Sequence, residues 1–224
     1  MKTELIVYDF DGTLCNTLPD IAGSMNIILE GQGLPRIPEL RVRDFIGNGI
    51  LSLVERSIIF AMSLSGGGNI APEEVQRIGT EMAEYYRGHL VDRSHLYPGV
   101  KEVLNYFRDI PQAVVSNKPE AMLHEMLKHF GIEEEIRLVV GGDSIEVCKP
   151  DPAVWRHVVN TMKLQEPVRG LMVGDSLPDL KFAKVAGLTP VLVSYGYNDV
   201  ALLREAGAGI VIDDFRELIT LYGS

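Results

Sequence analysis

Six short runs of uninterrupted apolar residues constrain the fold of this chain more than any other feature. They are LIVY at residues 5–8, AVV at 113–115, LVV at 138–140, LMV at 171–173, VLV at 191–193 and IVI at 210–212. A run without polar alternation reads as a strand buried on both faces, as in a parallel sheet covered by helices. Stretches with helical spacing lie between the later runs, at 100–108, 120–130, 153–162 and 179–186. Gly131 and Gly187 stand where C-terminal caps belong. Strands alternating with helices predict an α/β protein with a mostly parallel sheet flanked by helices.

One long stretch breaks that rhythm. From about Leu18 to His95 there is no convincing strand. Helices are expected at 18–30, 50–64 and 72–90, the last with Val75, Ile78, Met82, Tyr86 and Leu90 near helical spacing. Thr17 and Asp20 have the spacing of a capping box. The loop Ser65-Gly66-Gly67-Gly68-Asn69 separates two of the helices. The predicted organisation is therefore a core of residues 1–16 and 96–224, with an all-helical insert of 17–95 after the first strand.

Composition excludes several classes. The 224 residues carry a formal charge of −10 with no Lys/Arg block, so the phosphate-neutralising footprint of a nucleic-acid binder is missing. No apolar run approaches the ~20 residues needed to span a bilayer. The N-terminal apolar run is short and meets an early aspartate, unlike a signal peptide. Two cysteines, Cys15 and Cys148, make no disulfide framework, and a reducing cytoplasm is the expected compartment. Both cysteines read as small packing residues, with oxidation sensitivity as the alternative. The five histidines show no metal-site spacing.

In open parallel sheets, ligands bind beyond the C-terminal ends of the strands. Four such places carry suggestive residues. Asp9-Phe10-Asp11-Gly12-Thr13 follows the first strand, and alternation puts Asp9 and Asp11 on one side of an extended chain. Two carboxylates that close need a cation or a shared proton. An EF-hand calcium loop does not fit, because that loop needs Gly at its sixth position and Glu at its twelfth. Ser116-Asn117-Lys118-Pro119 offers a hydroxyl, an amide and a helix N-terminus to a phosphate, or else an ordinary helix cap with Pro119 in the first turn. Lys149-Pro150-Asp151-Pro152 reads by itself as a surface lysine before a capped helix. Gly174-Asp175-Ser176-Leu177-Pro178-Asp179 ends another strand in a carboxylate and puts a second one in the first helical turn. Together Asp9, Asp11, Asp175 and Asp179 place four negative charges at one sheet edge. Oxygen-only donors of this kind favour Mg²⁺, and Lys149 would offset the charge of a bound phosphate.

DFDGT, SN, KP and GDSLPD, in this order, resemble the four motifs of the haloacid dehalogenase-like hydrolases. The resemblance spans essentially the whole chain. It implies a Rossmann-like core with the helical insert as a C1 cap. It also implies an aspartyl-phosphate mechanism. Asp9 would be the nucleophile, Asp11 the acid and base, and Ser116 and Lys149 would hold the phosphoryl group. Gly12, Thr13 and Asn117 would join Asp9 in phosphate binding. Mg²⁺ would be held by Asp9, the backbone carbonyl of Asp11 and Asp175, with Asp179 completing or orienting that shell. Within the family, Phe45-Ile46-Gly47-Asn48-Gly49, Gly141-Gly142-Asp143 and Tyr195-Gly196-Tyr197-Asn198 are similar to the phosphoglycolate phosphatase group. Asn16 departs from the Asp often found at its position in that group.

The expected reaction is thus hydrolysis of a small phosphorylated metabolite, 2-phosphoglycolate. Inorganic pyrophosphatase, sugar-phosphate phosphatase and β-phosphoglucomutase-like phosphomutase are alternatives on the same architecture. A phosphoryl-accepting signalling domain would be shorter and lack the insert, and a silent binding protein would not need all four motifs. In the cap, Asn48 between two glycines and Arg43 just upstream are candidates for the substrate's non-phosphate end, against a flexible turn and a solvated arginine.

Overall fold

The computed structural model describes residues 3–223. The chain enters through β1 (Leu5–Tyr8) and the two-residue β2 (Cys15–Asn16), then forms helices α1 (Leu18–Gly31), α2 (Glu39–Arg43), α3 (Ile50–Ser63) and α4 (Pro72–Arg87). It returns through β3 (His95–Leu96), which pairs antiparallel with β2. Then follow α5 (Val100–Tyr106), β4 (Gln112–Val115), α6 (Glu120–Phe130), β5 (Leu138–Val140) and α7 (Pro152–Met162). The last elements are β6 (Gly170–Gly174), α8 (Leu177–Ala186), β7 (Thr189–Val193), α9 (Val200–Glu205), β8 (Ile210–Ile212) and α10 (Glu217–Tyr222). Two compact units result, one of residues 17–94 and one of the residues on either side of that segment.

In the sheet unit, six strands run in the order β5-β4-β1-β6-β7-β8, every pair parallel. β1 is central because it is buried throughout. Its odd residues, Leu5 and Val7, join Ala113, Val115, Met172, Trp155 and Phe182 on one face. On the other face Tyr8 meets Phe215 at 5.9 Å between ring centres. The Tyr8 hydroxyl donates to Gln112 Oε1 at 2.9 Å, and the Gln112 amide donates to the Leu104 carbonyl, so both buried polar groups are satisfied. The chain builds outward from β1 first through β4 and β5, then crosses back to β6. The ends of β1, β4 and β6 therefore lie side by side, at the reversal where ligand sites form.

In the helical unit, α1 packs on α2 and α4, and α3 packs on α4. Val75, Ile78, Met82 and Tyr86 form the buried stripe of α4, as their spacing predicts. Asn26 clamps the α1–α2 connection, accepting from Ile37 N at 2.8 Å and donating to Ile37 O at 3.0 Å.

The capping box expected at Thr17 and Asp20 is not formed. Thr17 has near-helical backbone angles and makes no side-chain cap hydrogen bond. Asp20 serves a different set of donors: the amides of Arg93 and Ser94 and the Ser94 hydroxyl, at 2.7–3.0 Å. Several donors on the exit segment outweigh one cap bond, and the buried Asp20 ties the two ends of the insert together. α2 was not expected, because Pro35 and Pro38 precede a five-residue charged segment. α4 stops at Arg87 and not at Leu90, with Gly88 as its cap. Among the described residues no helix is long and apolar enough to cross a membrane.

Candidate active site

Asp9 follows β1 directly and is 6 % exposed. Its amide donates to Val173 O on β6 at 2.8 Å, which fixes it at the sheet edge. Its Oδ1 accepts from Phe10 N at 2.8 Å and lies 3.1 Å from Lys149 Nζ. The Ser116 hydroxyl, beyond β4, also bonds to this carboxylate. The chain then curls tightly. Leu14 and Cys15 donate to Phe10 O, and Gly12 N donates to Cys15 O at 2.8 Å. Gly12 has φ +81°, and a Cβ there would meet Asp175 Oδ2 at 2.5 Å, so the curl and the neighbouring carboxylate both require glycine.

Lys149 is held in place by Asn117, whose side chain accepts from Lys149 N at 2.9 Å and donates to Lys149 O at 3.2 Å. Asn117 thus acts on the backbone of Lys149. The Lys149–Pro150 peptide is cis, and Asp151 caps α7 by accepting from Ala153 N. Lys149 Nζ reaches Asp179 Oδ1 at 2.6 Å as well as Asp9. It is not a surface lysine, since its side chain is buried between two carboxylates.

Asp175 directly follows β6 and accepts from Tyr197 N at 2.6 Å and from the Thr13 hydroxyl at 3.4 Å. Asp179 is the third residue of α8 and closes a capping box with Ser176. Its Oδ2 accepts from Asp175 N, Ser176 N and the Ser176 hydroxyl, at 2.5–3.2 Å. Both Asp179 oxygens are therefore engaged, one by the loop and one by Lys149.

The electrostatics carry a clear sign. Burial, then the charge of Asp179, raises the Asp9 carboxyl to about 6, against the pull of Lys149 and Ser116. Asp175 is raised well above the usual carboxylate range by burial, Asp179 and Asp9. For Lys149, burial acts to lower the ammonium, but Asp179 and Asp9 outweigh it and hold it above its ordinary value. Lys118 Nζ lies 3.1 Å from Asp11 Oδ1. Four carboxylates face two ammonium groups, which leaves a formal surplus of two negative charges. Carboxylate oxygens of Asp9, Asp175 and Asp179 lie within 4.8 Å of one another. This buried, oxygen-only cluster can hold a divalent metal ion.

The loops that resembled one group of the family have physical roles here. Tyr195 donates to Thr13 O at 3.1 Å and packs on Tyr97, and Tyr197 donates to Asn16 Oδ1 at 3.4 Å. A Cβ on Gly196 would collide with the Asp175 side chain. Gly142 N donates to Lys118 O, and Asp143 accepts from Glu120 N at the start of α6, so this turn braces the loop after β4. Pro119 is the N-cap of α6 and not its first helical residue.

Asp9, Asp11, Gly12, Thr13, Ser116, Asn117, Lys149, Asp175 and Asp179 all belong to the sheet unit, at the ends of β1, β4 and β6 and in the loop before α7. Arg43 and Asn48 belong to the helical unit. Arg43 ends α2, 3.6 Å from Asp44, and its Nε is buried without a hydrogen-bond partner. Asn48 stands between Gly47 and Gly49, both at positive φ. Two participants escaped the sequence reading. Lys118 was hidden in what reads as a helix cap. Ser176 was hidden although Ser-x-x-Asp before a helix is a legible cap signal.

Comparison with known proteins agrees with this geometry. A family model described as haloacid dehalogenase-like hydrolase matches residues 6–193. A phosphoglycolate phosphatase of Haemophilus influenzae is 37% identical over 220 residues, covering 97% of each chain. One from Nitrosococcus oceani is 33% identical over 222 residues, covering 98% of this chain and 96% of its own. A crystal structure described as a predicted phosphoglycolate phosphatase from Haemophilus somnus superposes with a TM-score of 0.91 at 33% identity, covering 99% of this chain and 98% of the other.

Proposed function

The chain belongs to the haloacid dehalogenase-like hydrolases, and on that premise we propose that it is a Mg²⁺-dependent phosphomonoesterase acting on 2-phosphoglycolate through an aspartyl-phosphate. The observation that carries the chemistry is Asp9, a buried strand-end carboxylate bonded to Lys149 and Ser116 beside two further carboxylates. The similar enzymes named above support the substrate.

In this reading the core is 1–16 with 96–224 and the cap is 17–95. Asp9 attacks phosphorus as the ester P–O bond breaks, and Asp11 gives its proton to the leaving oxygen. Asp11 then takes a proton from water, which attacks the same phosphorus and releases phosphate from Asp9. Ser116 and Lys149 hold the transferring group, and the turn at Gly12 and Thr13 walls it in. Asn117 acts through the Lys149 backbone. Asp9, Asp175 and the Asp11 carbonyl would hold Mg²⁺, and Asp179 would orient them. When bound, the ion neutralises charge on the phosphoryl oxygens and cancels the surplus of the cluster. Arg43 and Asn48 read the non-phosphate end of the substrate. The partnerless Nε of Arg43 supports that assignment.

The test is phosphate release from a panel of phosphomonoesters and pyrophosphate, with Mg²⁺ and with EDTA. Metal-dependent release strongest for 2-phosphoglycolate is expected. Stronger release from another ester removes the substrate assignment and keeps the chemistry. No release from any of them removes the hydrolase reading. For the cap, Arg43→Ala is expected to lower kcat/KM for 2-phosphoglycolate by about tenfold, the value of one charge-assisted hydrogen bond. An unchanged value removes Arg43 from the site.

A further inference from the structure

Among the described residues, Lys118 is the one buried cation of the sheet edge without a role in the scheme above. Its Nζ lies 3.1 Å from Asp11 Oδ1 and 3.4 Å from Oδ2. Its side chain is 3% exposed and that of Asp11 13%. An ammonium taken out of water is costly unless paired, so this lysine is committed to that carboxyl group. Its backbone is equally fixed. Lys118 O accepts from Gly142 N at 2.8 Å, and a Cβ on Gly142 would meet Asn117 O at 2.5 Å, so the turn after β5 lies hard against it.

The two buried lysines divide the carboxylates between them. Lys149 serves Asp9 and Asp179, and Lys118 serves Asp11. We propose that Lys118 is a positioning residue for the proton-transfer step, holding Asp11 by Oδ1 and stabilising the carboxylate that appears when Asp11 gives its proton away. The inference rests on the reading of Asp11 as the acid. In that step the Asp11 O–H bond breaks and the O–H bond of the leaving alcohol forms. The ester P–O bond breaks while the Asp9 O–P bond forms. Asp11 is left negative beside Lys118 Nζ, so the attraction grows as the transition state is reached. Only interactions that strengthen in that way accelerate the step. A merely structural ion pair would slow every substrate alike.

The experiment uses leaving groups of different need. kcat/KM reports the steps through release of the alcohol, so it isolates the first transfer. 2-Phosphoglycolate has an alkoxide leaving group that requires a proton. p-Nitrophenyl phosphate has a stable phenolate that does not. Lys118→Met is expected to lower kcat/KM about 100-fold on 2-phosphoglycolate, within the range of acid catalysis, and by less than about threefold on p-nitrophenyl phosphate. In an Asp11→Asn background it is expected to cost nothing further on 2-phosphoglycolate. Equal losses on both substrates, or a full additional loss in the Asp11→Asn background, overturn the proposal. If Asp11→Asn alone loses equally on the two substrates, the acid role of Asp11 itself is wrong, and the role of Lys118 falls with it. Each ratio is taken within one preparation, so a smaller folded fraction cancels. Lys118→Gln is the second variant should Lys118→Met not fold.

Discussion

At the scale of single residues, the carboxylates of this site are stable only in company. Burial and Asp179 raise Asp9 from its ordinary 3.8 to about 6, and Asp175 is raised as well. With folded values above unfolded ones, the metal-free folded state binds the extra protons. Its stabilisation is fully present below the unfolded value and is lost as the pH rises through about 6. A divalent ion bound by this cluster would reverse this, because it would bind the deprotonated groups. Mg²⁺ at a hundred times its Kd is worth about 2.7 kcal/mol. The Mg²⁺-induced rise in Tm is therefore expected to be large near about pH 7.5 and to fade near about pH 5. Thermal melts with Mg²⁺ and with EDTA check this, and an equal shift at both pH values contradicts it. Gly196 belongs to the same argument. Gly196→Ala drives a methyl group into Asp175. Activity should fall at low Mg²⁺ and recover in part at high Mg²⁺, as a titration of rate against Mg²⁺ would show. A loss that does not respond to Mg²⁺ would place the damage elsewhere.

At the scale of elements, legibility in the sequence followed burial. The strands were readable because β1, β4 and β6 are buried along their whole length and each carries an apolar run of three or four residues with no polar alternation. The stripe on α4 was readable for the complementary reason, an apolar face at helical spacing. What failed was set by distant partners. Thr17 and Asp20 have capping-box spacing, yet Asp20 bonds to Arg93 and Ser94, more than seventy positions away. β2 and β3 are two residues each, too short for a period, and pair where the chain leaves and re-enters the sheet unit. Asp20 is consequently predicted to hold the root of the helical unit. Asp20→Ala leaves the donors of Arg93 and Ser94 without their acceptor, at a cost of about 1–3 kcal/mol. Hydrogen exchange should quicken across residues 17–94 while β1, β4 and β6 stay protected. Uniform loss of protection across both units would contradict a local role.

At the scale of the whole molecule, the sheet order converts four separated sequence segments into one site. Asp9, Ser116, Lys149 and Asp175 lie far apart along the chain, and the crossing from β5 back to β6 sets their strand ends side by side. The clustering of Asp9, Asp175 and Asp179 was legible from sequence because carboxylates that end or follow buried strands of a parallel sheet meet at one edge. The place of Asp179 in the first turn after β6 was legible, but its double engagement by Lys149 and the Ser176 cap was not. Lys118 was obscured because Ser-Asn-Lys-Pro before a helix is complete as a cap, and only the fold brings Asp11 to it. The most direct measurement is to quench the enzyme in acid during turnover of 2-phosphoglycolate with Mg²⁺ and map the phosphorylated peptide by mass spectrometry. The account predicts a phosphoryl group on Asp9, absent with EDTA and absent in Asp9→Asn. Phosphate released with no phosphoryl group trapped on any residue, or trapped on a residue other than Asp9, would contradict it.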